Sequence, residues 1–214
     1  MSLRLYDYAA SANCYKVRLL LAQLGRPYER ILVDIFGGET LTDAYAVLNP
    51  ARATPVLQVD DGTYLPESGA ILAYLAEGTE LMPAEPIERA QALRWLLFEQ
   101  TGVMMPIGGL RFRLLTGRIS AESAERRRRG AHAGLAVLEG HLERHDFFVA
   151  DRYGIADIAI YGYTHVAGEA GIDLAEFPAV QAWCERVAGA AGYMNDLEPY
   201  PANAMAGSGR SIYG

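Results

Sequence analysis

The chain has 214 residues, 51% hydrophobic and 21% charged, a globular composition long enough for one large domain or two small ones and unlike that of a disordered chain. A formal net charge of -7 argues against a general affinity for nucleic acid or anionic membrane, and no apolar run reaches bilayer length. No charged-then-apolar signal segment opens the chain, and two cysteines, Cys14 and Cys184, make no disulfide framework and fit a reducing cytoplasm.

Leu3 to Asp7 reads as a short strand. From Cys14 the period changes, with Val17, Leu20, Leu21 and Leu24 at the i, i+3, i+4, i+7 positions of a helical stripe. Gly25 and Pro27 end that helix. Tyr28 to Val33 reads as a second strand, and a strand–helix–strand unit makes the two strands parallel. Leu41 to Leu48 reads as a short helix. Val56 to Val59 is a strand, Asp61-Gly62 a hairpin turn and Tyr64-Leu65 the start of the returning strand. Ile71, Leu72 and Leu75 lie on a closing helix. The order β-α-β-α-β-β-α describes a small α/β domain over residues 1–78.

The segment EGTELMPAEPIE reads as a linker, residues 79–88. Beyond it the pattern is helical. Ala90 to Phe98 with Trp95, Ala121 to Arg144, Ile155 to Val166 and a last helix opened by Pro178 all carry helical periodicity. Residues 89–214 are therefore expected to be an all-helical domain with a flexible C-terminal tail, the Pro-, Gly- and Ser-rich stretch from Glu198.

Three corners fall at strand ends of the α/β domain, where ligands bind in such sheets. The first places Ser11, Asn13 and Cys14 at a helix start. Unpaired N–H groups there favour an anion, and a hydroxyl beside them adds a donor. Taken alone, this motif reads first as an ordinary N-cap. The second corner is NPARATPVL, Asn49 to Leu57, with Thr54-Pro55 directly before a strand. The third is PESGAIL, with Glu67 and Ser68 before a helix.

Taken together, S-x-N-C-Y-K-V-R, N-P-x-x-x-T-P-V-L, E-S-x-A-I-L-x-Y-L and I-A-D-I-A-x-Y-x-Y-T-H-V resemble the glutathione S-transferase family over nearly the whole chain, and its bacterial serine-type or Asn-containing members in particular. The resemblance implies a thioredoxin-like N-terminal domain followed by an all-helical one. It implies a cytoplasmic homodimeric enzyme of detoxification type, with glutathione as cosubstrate and no metal. Ser11 matches the serine that hydrogen-bonds the glutathione sulfur, and Asn13 an assisting amide. Thr54, before a cis Pro55, would pair its backbone with the cysteinyl unit. Glu67 and Ser68 would hold the γ-glutamyl amine and carboxylate, and Arg52 the glycyl carboxylate. Tyr8, Met104, Met105 and Phe112 would line the second-substrate pocket, with core or dimer interface as the competing reading for the last three. Cys14 lies three residues after the position of the reactive thiol in cysteine-type relatives, so packing or support of the site is its expected role, with a redox role through a pKa lowered at the helix end as the competing reading.

Two positions depart from the family pattern. Ala53 stands where Lys or Gln is common, with the base at Arg52, and Gly154 replaces the hydroxyl of a capping box whose Asp157 remains, giving Asp157 a structural role. His141 and His145 share a helix face without a third metal ligand, and the Arg126–Arg129 run spreads around a helix as a solvated surface. The absence of C-x-x-C argues against a thioredoxin-type disulfide exchanger. Expected activity is conjugation of glutathione to an electrophile. Peroxidase, isomerase or dehalogenase chemistry and a non-enzymatic glutathione- or ligand-binding role are the alternatives.

Overall fold

Leu3 and Leu5 point into the core and Arg4 out of it, the alternation that makes Leu3–Asp7 strand β1. β1 pairs in parallel with β2 (Tyr28–Leu32), the two joined by helix α1 (Ala12–Gln23). A parallel pair needs such a crossover. β3 (Val56–Gln58) runs antiparallel to β1 and to β4 (Tyr64–Pro66), so the sheet order is β2-β1-β3-β4. Helices α2 (Asp43–Leu48) and α3 (Ser68–Ala76) complete the thioredoxin-like arrangement. Residues 3–60 and 62–212 of this computed structural model are described. Gly62, at φ 85, turns the β3–β4 hairpin with its N–H on Val59 O at 2.9 Å; Asp61, the other half of the expected turn, lies outside the described residues.

The expected one-sided stripe on α1 is too narrow. Every residue from Cys14 to Leu21 is buried, including Lys16 and Arg18. Arg18 Nη1 donates to Asp7 Oδ1 at 2.6 Å, and both side chains have no solvent exposure. Arg30 Nε takes the other Asp7 oxygen at 2.6 Å, and Arg18 Nε donates to Asp196 at 2.9 Å. Burial alone would lower the Arg18 pKa; the two carboxylates more than reverse it.

The chain divides into two compact units, Met1–Leu75 with Met194–Gly214, and Ala76–Tyr193. The tail therefore groups with the α/β unit, where a loose appendage to the helical domain was expected. Asp196 binds Arg18, Glu198 N–H donates to Ala9 O at 3.2 Å, Asn203 Nδ2 to Asp34 at 3.1 Å and Arg210 N–H to Phe36 O at 2.6 Å. Small and proline residues suit a chain that lies flat on a surface, so the composition that reads as flexibility here accompanies an ordered strap.

In the second unit α4 (Pro86–Phe98) begins inside the expected linker, with proline at its start. It continues as a π-helix over Glu99–Gly108 and then as α5 (Gly109–Leu115). Pro106 lies inside this stretch, to which periodicity assigns no element. Wider π winding breaks the ordinary hydrogen-bond ladder, and the glycines serve close packing. A Cβ on Gly134 of α6 (Ala121–Leu142) would collide with Gly102 O, and one on Gly108 would enter the Tyr163 ring. Tyr163 belongs to α7 (Ile155–Thr164), and α8 (Pro178–Ala188) is the last long helix.

Asp157 is structural, as expected. Its carboxylate accepts from Gly154 N–H at 3.0 Å, Trp183 Nε1 at 2.9 Å and Phe148 N–H at 3.3 Å. Burial outweighs these donors and raises its pKa to about 7. Gly154 has a steric reason too, since a Cβ there would sit 2.8 Å from Leu81 O. Arg126 to Arg129 spread around the helix as expected: Arg126 meets Ser123 and Arg127 meets Met105 O, while Arg128 and Arg129 share Glu125. Among the described residues no helix is long and apolar enough to cross a membrane.

Asp7→Ala would leave two guanidinium groups facing one site without their carboxylate. Chemical denaturation should show a loss of about 3–5 kcal/mol; a loss below about 1 kcal/mol would show that the buried pair does not anchor the unit.

Candidate active site

Tyr8 to Ser11 forms a tight turn after β1, closed by Ser11 N–H on Tyr8 O at 2.9 Å. Ser11 has extended backbone and caps α1, its Oγ accepting from Cys14 N–H at 3.4 Å. A hydroxyl has two acceptor lone pairs and one proton. The cap uses a lone pair and leaves the proton for another acceptor. Ser11 and Asn13 are both half-buried. Asn13 Oδ1 accepts from Lys16 Nζ at 2.8 Å and from Ser68 Oγ at 3.5 Å. That second bond joins the first and third corners, although 55 residues separate the two side chains.

Cys14 points inward and is fully buried. Burial pushes its thiol up to about 12, helped by the nearby Asp7 carboxylate, while Tyr8 N–H and the Thr54 and Ser11 side chains pull weakly the other way. It is a packed, protonated thiol, in keeping with the expected role. Cys184 is likewise held near 12 by burial.

The Thr54–Pro55 bond is cis. Pro55 is buried and Thr54 half-buried, directly before β3. Thr54 makes no backbone–backbone hydrogen bond among the described residues, so its main chain is available as an unpaired strand end. The loop before it is held by Asn49, whose Nδ2 donates to Ala53 O at 2.9 Å while its Oδ1 accepts from Ala51 N–H. Arg52, at φ 56, sends Nη1 to Thr42 O at 2.9 Å and Nη2 to Asp43 at 3.3 Å. It thus ties its own loop to the start of α2, a role the sequence does not announce.

Glu67 is exposed and sits at φ 73, a left-handed conformation that costs a non-glycine residue about 1–3 kcal/mol and tends to accumulate at functional sites. Its O accepts from Ile71 N–H, starting α3, and Ser68 is buried beneath it. The expected second-substrate residues divide between the two units. Tyr8 is buried in the first, its ring 6.1 Å from Phe36 and 6.3 Å from Tyr200. Met104 and Phe112 are half-buried in the second and Met105 is exposed there. Lys16 and the Asp7–Arg18 pair escape a periodicity reading. The available signal is a charge set within an apolar run, KVRLLL.

His141 and His145 stack at 4.5 Å, with His145 Nδ1 on Asp151 at 3.0 Å. Among the described residues no group of three or more His, Cys, Asp or Glu side chains is placed to hold a metal.

Residues 5–82 match the family model described as glutathione S-transferase, N-terminal domain, and residues 101–190 the model for the glutathione S-transferase C-terminal domain. Maleylacetoacetate isomerase of Rhizobium meliloti (strain 1021) is 33% identical over 195 residues, 86% of this chain and 91% of that protein. Disulfide-bond oxidoreductase YfcG of Escherichia coli (strain K12) is 33% identical over 189 residues, 84% of this chain and 87% of that protein. The crystal structure of a glutathione S-transferase from Pseudomonas fluorescens Pf-5 is similar at TM-score 0.89 and 42% identity, over 92% of this chain and 99% of that one.

Folded thiols that keep their protons to about 12, against an ordinary 9.0, lower stability as pH rises through that window, because the unfolded chain ionises first. At about pH 7.5 the native protein should take up no iodoacetamide within about an hour, and the urea-unfolded protein two adducts by mass spectrometry. Rapid single labelling of native Cys14 would reveal a reactive thiolate.

Proposed function

This chain belongs to the glutathione S-transferase family, and from that membership we propose that it is an enzyme that ionises glutathione at Ser11 and directs the thiolate at an electrophilic carbon of an apolar cosubstrate. The supporting observation is that the Ser11 oxygen is engaged by the cap, which leaves its hydroxyl proton to donate to sulfur at the positive end of α1. The thiolate is thereby favoured over the thiol at neutral pH. Asn13 assists. Thr54 offers its free main chain to the cysteinyl unit, a one-residue strand addition. Glu67 accepts from the γ-glutamyl amine, and Ser68, whose hydroxyl proton is directed to Asn13 Oδ1, holds the γ-glutamyl carboxylate with its backbone N–H. Arg52 reaches the glycyl carboxylate only with N–H groups not spent on Thr42 and Asp43. Tyr8, Met104, Met105 and Phe112 serve the cosubstrate. The protein acts in the cytoplasm as a homodimer and needs no metal.

A second reading is isomerisation, favoured by the relative named maleylacetoacetate isomerase. The same thiolate adds to an activated carbon–carbon double bond, the bond rotates, and elimination returns glutathione unchanged. The relative named as a disulfide-bond oxidoreductase adds a disulfide substrate to the assay set. The buried, protonated Cys14 makes glutathione itself the sulfur that would react there.

Ser11→Ala tests the proposal. With a model aryl halide, kcat/KM should fall about a hundredfold, while glutathione affinity by calorimetry changes less than about threefold. Unchanged turnover would remove Ser11 from the mechanism. Glutathione binding by the wild type without turnover of halide, activated olefin, hydroperoxide or disulfide would identify a binding protein.

A further inference from the structure

Lys16 brings a positive charge to a fully buried position near the start of α1. A buried ammonium is costly unless its donors are met. One of them goes to Asn13 Oδ1 at 2.8 Å, one turn back on the same helix, and the Ser68 hydroxyl donates to that same oxygen at 3.5 Å. An ammonium can only donate, so the amide atom facing it must be oxygen. This chemistry fixes which way round the Asn13 amide sits. The consequence falls on its other end: Nδ2 carries two N–H donors on the far side of the amide, and no hydrogen bond engages them among the described residues. Asn13 is only half-buried and begins the same helix that Ser11 caps.

We propose that Lys16 is a positioning residue: its buried ammonium locks the Asn13 amide so that the NH2 group faces the ligand's sulfur as a second donor beside Ser11. The inference rests on the reading above, that glutathione places its sulfur at this corner. Lys16 does not touch the sulfur. It acts through Asn13, and it acts twice. It excludes the flipped amide, which would present a carbonyl oxygen to a thiolate and repel it. It also polarises the amide, and a hydrogen bond from a polarised donor is stronger. Ser68 ties the same oxygen from α3, so the sulfur-binding and γ-glutamyl corners share one oriented group.

The full-length protein tests this with Lys16→Gln, Asn13→Ala and the double variant, each titrated with glutathione while ultraviolet thiolate absorbance is followed. In the wild type a thiolate band should appear on binding near neutral pH. In Lys16→Gln the pH of half-ionisation should rise by about one pH unit and kcat/KM fall about tenfold, with KM for glutathione nearly unchanged. Asn13→Ala should show the same rise, and the double variant should be no worse than Asn13→Ala, since there is then no amide to orient. A Lys16 that merely supported the fold would lower stability without moving the sulfur's titration. Additive effects in the double variant, or an unshifted titration in Lys16→Gln, overturn the proposal. If Lys16→Gln does not fold, Asn13→Ala decides alone, and an unshifted titration there overturns it. A wild type that binds glutathione with no thiolate band overturns the Ser11 reading and this inference together, whereas a wild-type band that persists in both single variants overturns this inference only.

Discussion

The α/β unit depends on one buried ion pair. Asp7 ends β1 and Arg18 lies on α1, and neither has any exposure. Two charges removed from water are costly, and only close, well-satisfied geometry offsets the cost. Here Asp7 receives two guanidinium groups and Arg18 two carboxylates. The pair clamps strand to helix on either side of the Tyr8–Ser11 turn, so the residues that cap α1 stand at the end of a rigid corner. The same guanidinium reaches Asp196 and so helps to hold the C-terminal tail on this unit.

The three corners at the strand ends carry groups that regular structure leaves unsatisfied. Ser11 spends a lone pair on the helix and keeps its proton. Thr54 makes no backbone–backbone hydrogen bond among the described residues, as β3 begins only after Pro55. Glu67 holds a left-handed backbone conformation at the start of α3 and is exposed. Each is a local departure from regular structure that leaves a donor or acceptor outside the helix and sheet ladders. Asn13, Lys16 and Ser68 connect the first and third of these corners through a shared oxygen. Cys14 stands apart from these groups: it is fully buried, and burial pushes its thiol up to about 12.

The helical unit solves a different problem, which is close approach of helices. Gly102 and Gly134 meet where any side chain would collide, and Gly108 admits the Tyr163 ring. The π-helical stretch around Pro106 is where this approach occurs. Glycine and proline usually mark loops, so periodicity assigns no element to Thr101 to Phe112, whereas the helices expected at Ala121 to Arg144 and Ile155 to Val166 are found over Ala121–Leu142 and Ile155–Thr164. The tail errs in the same way: its composition signals disorder, but Asp196, Glu198, Asn203 and Arg210 each find a partner on the α/β unit.

The amino-acid sequence by itself determined the order of elements, the α/β-then-helical architecture and the three corners at strand ends, because periodicity, caps and turn residues are properties of neighbours along the chain. Tertiary structure alone decided which charges are buried, which way the Asn13 amide faces, that Arg52 serves its own loop and that the tail is an ordered strap. Those outcomes depend on groups far apart in sequence, 55 residues for Ser68 and Asn13 and 178 for Arg18 and Asp196. No local pattern encodes such a pairing, since the energy of a buried polar group is set by the partners that folding brings to it.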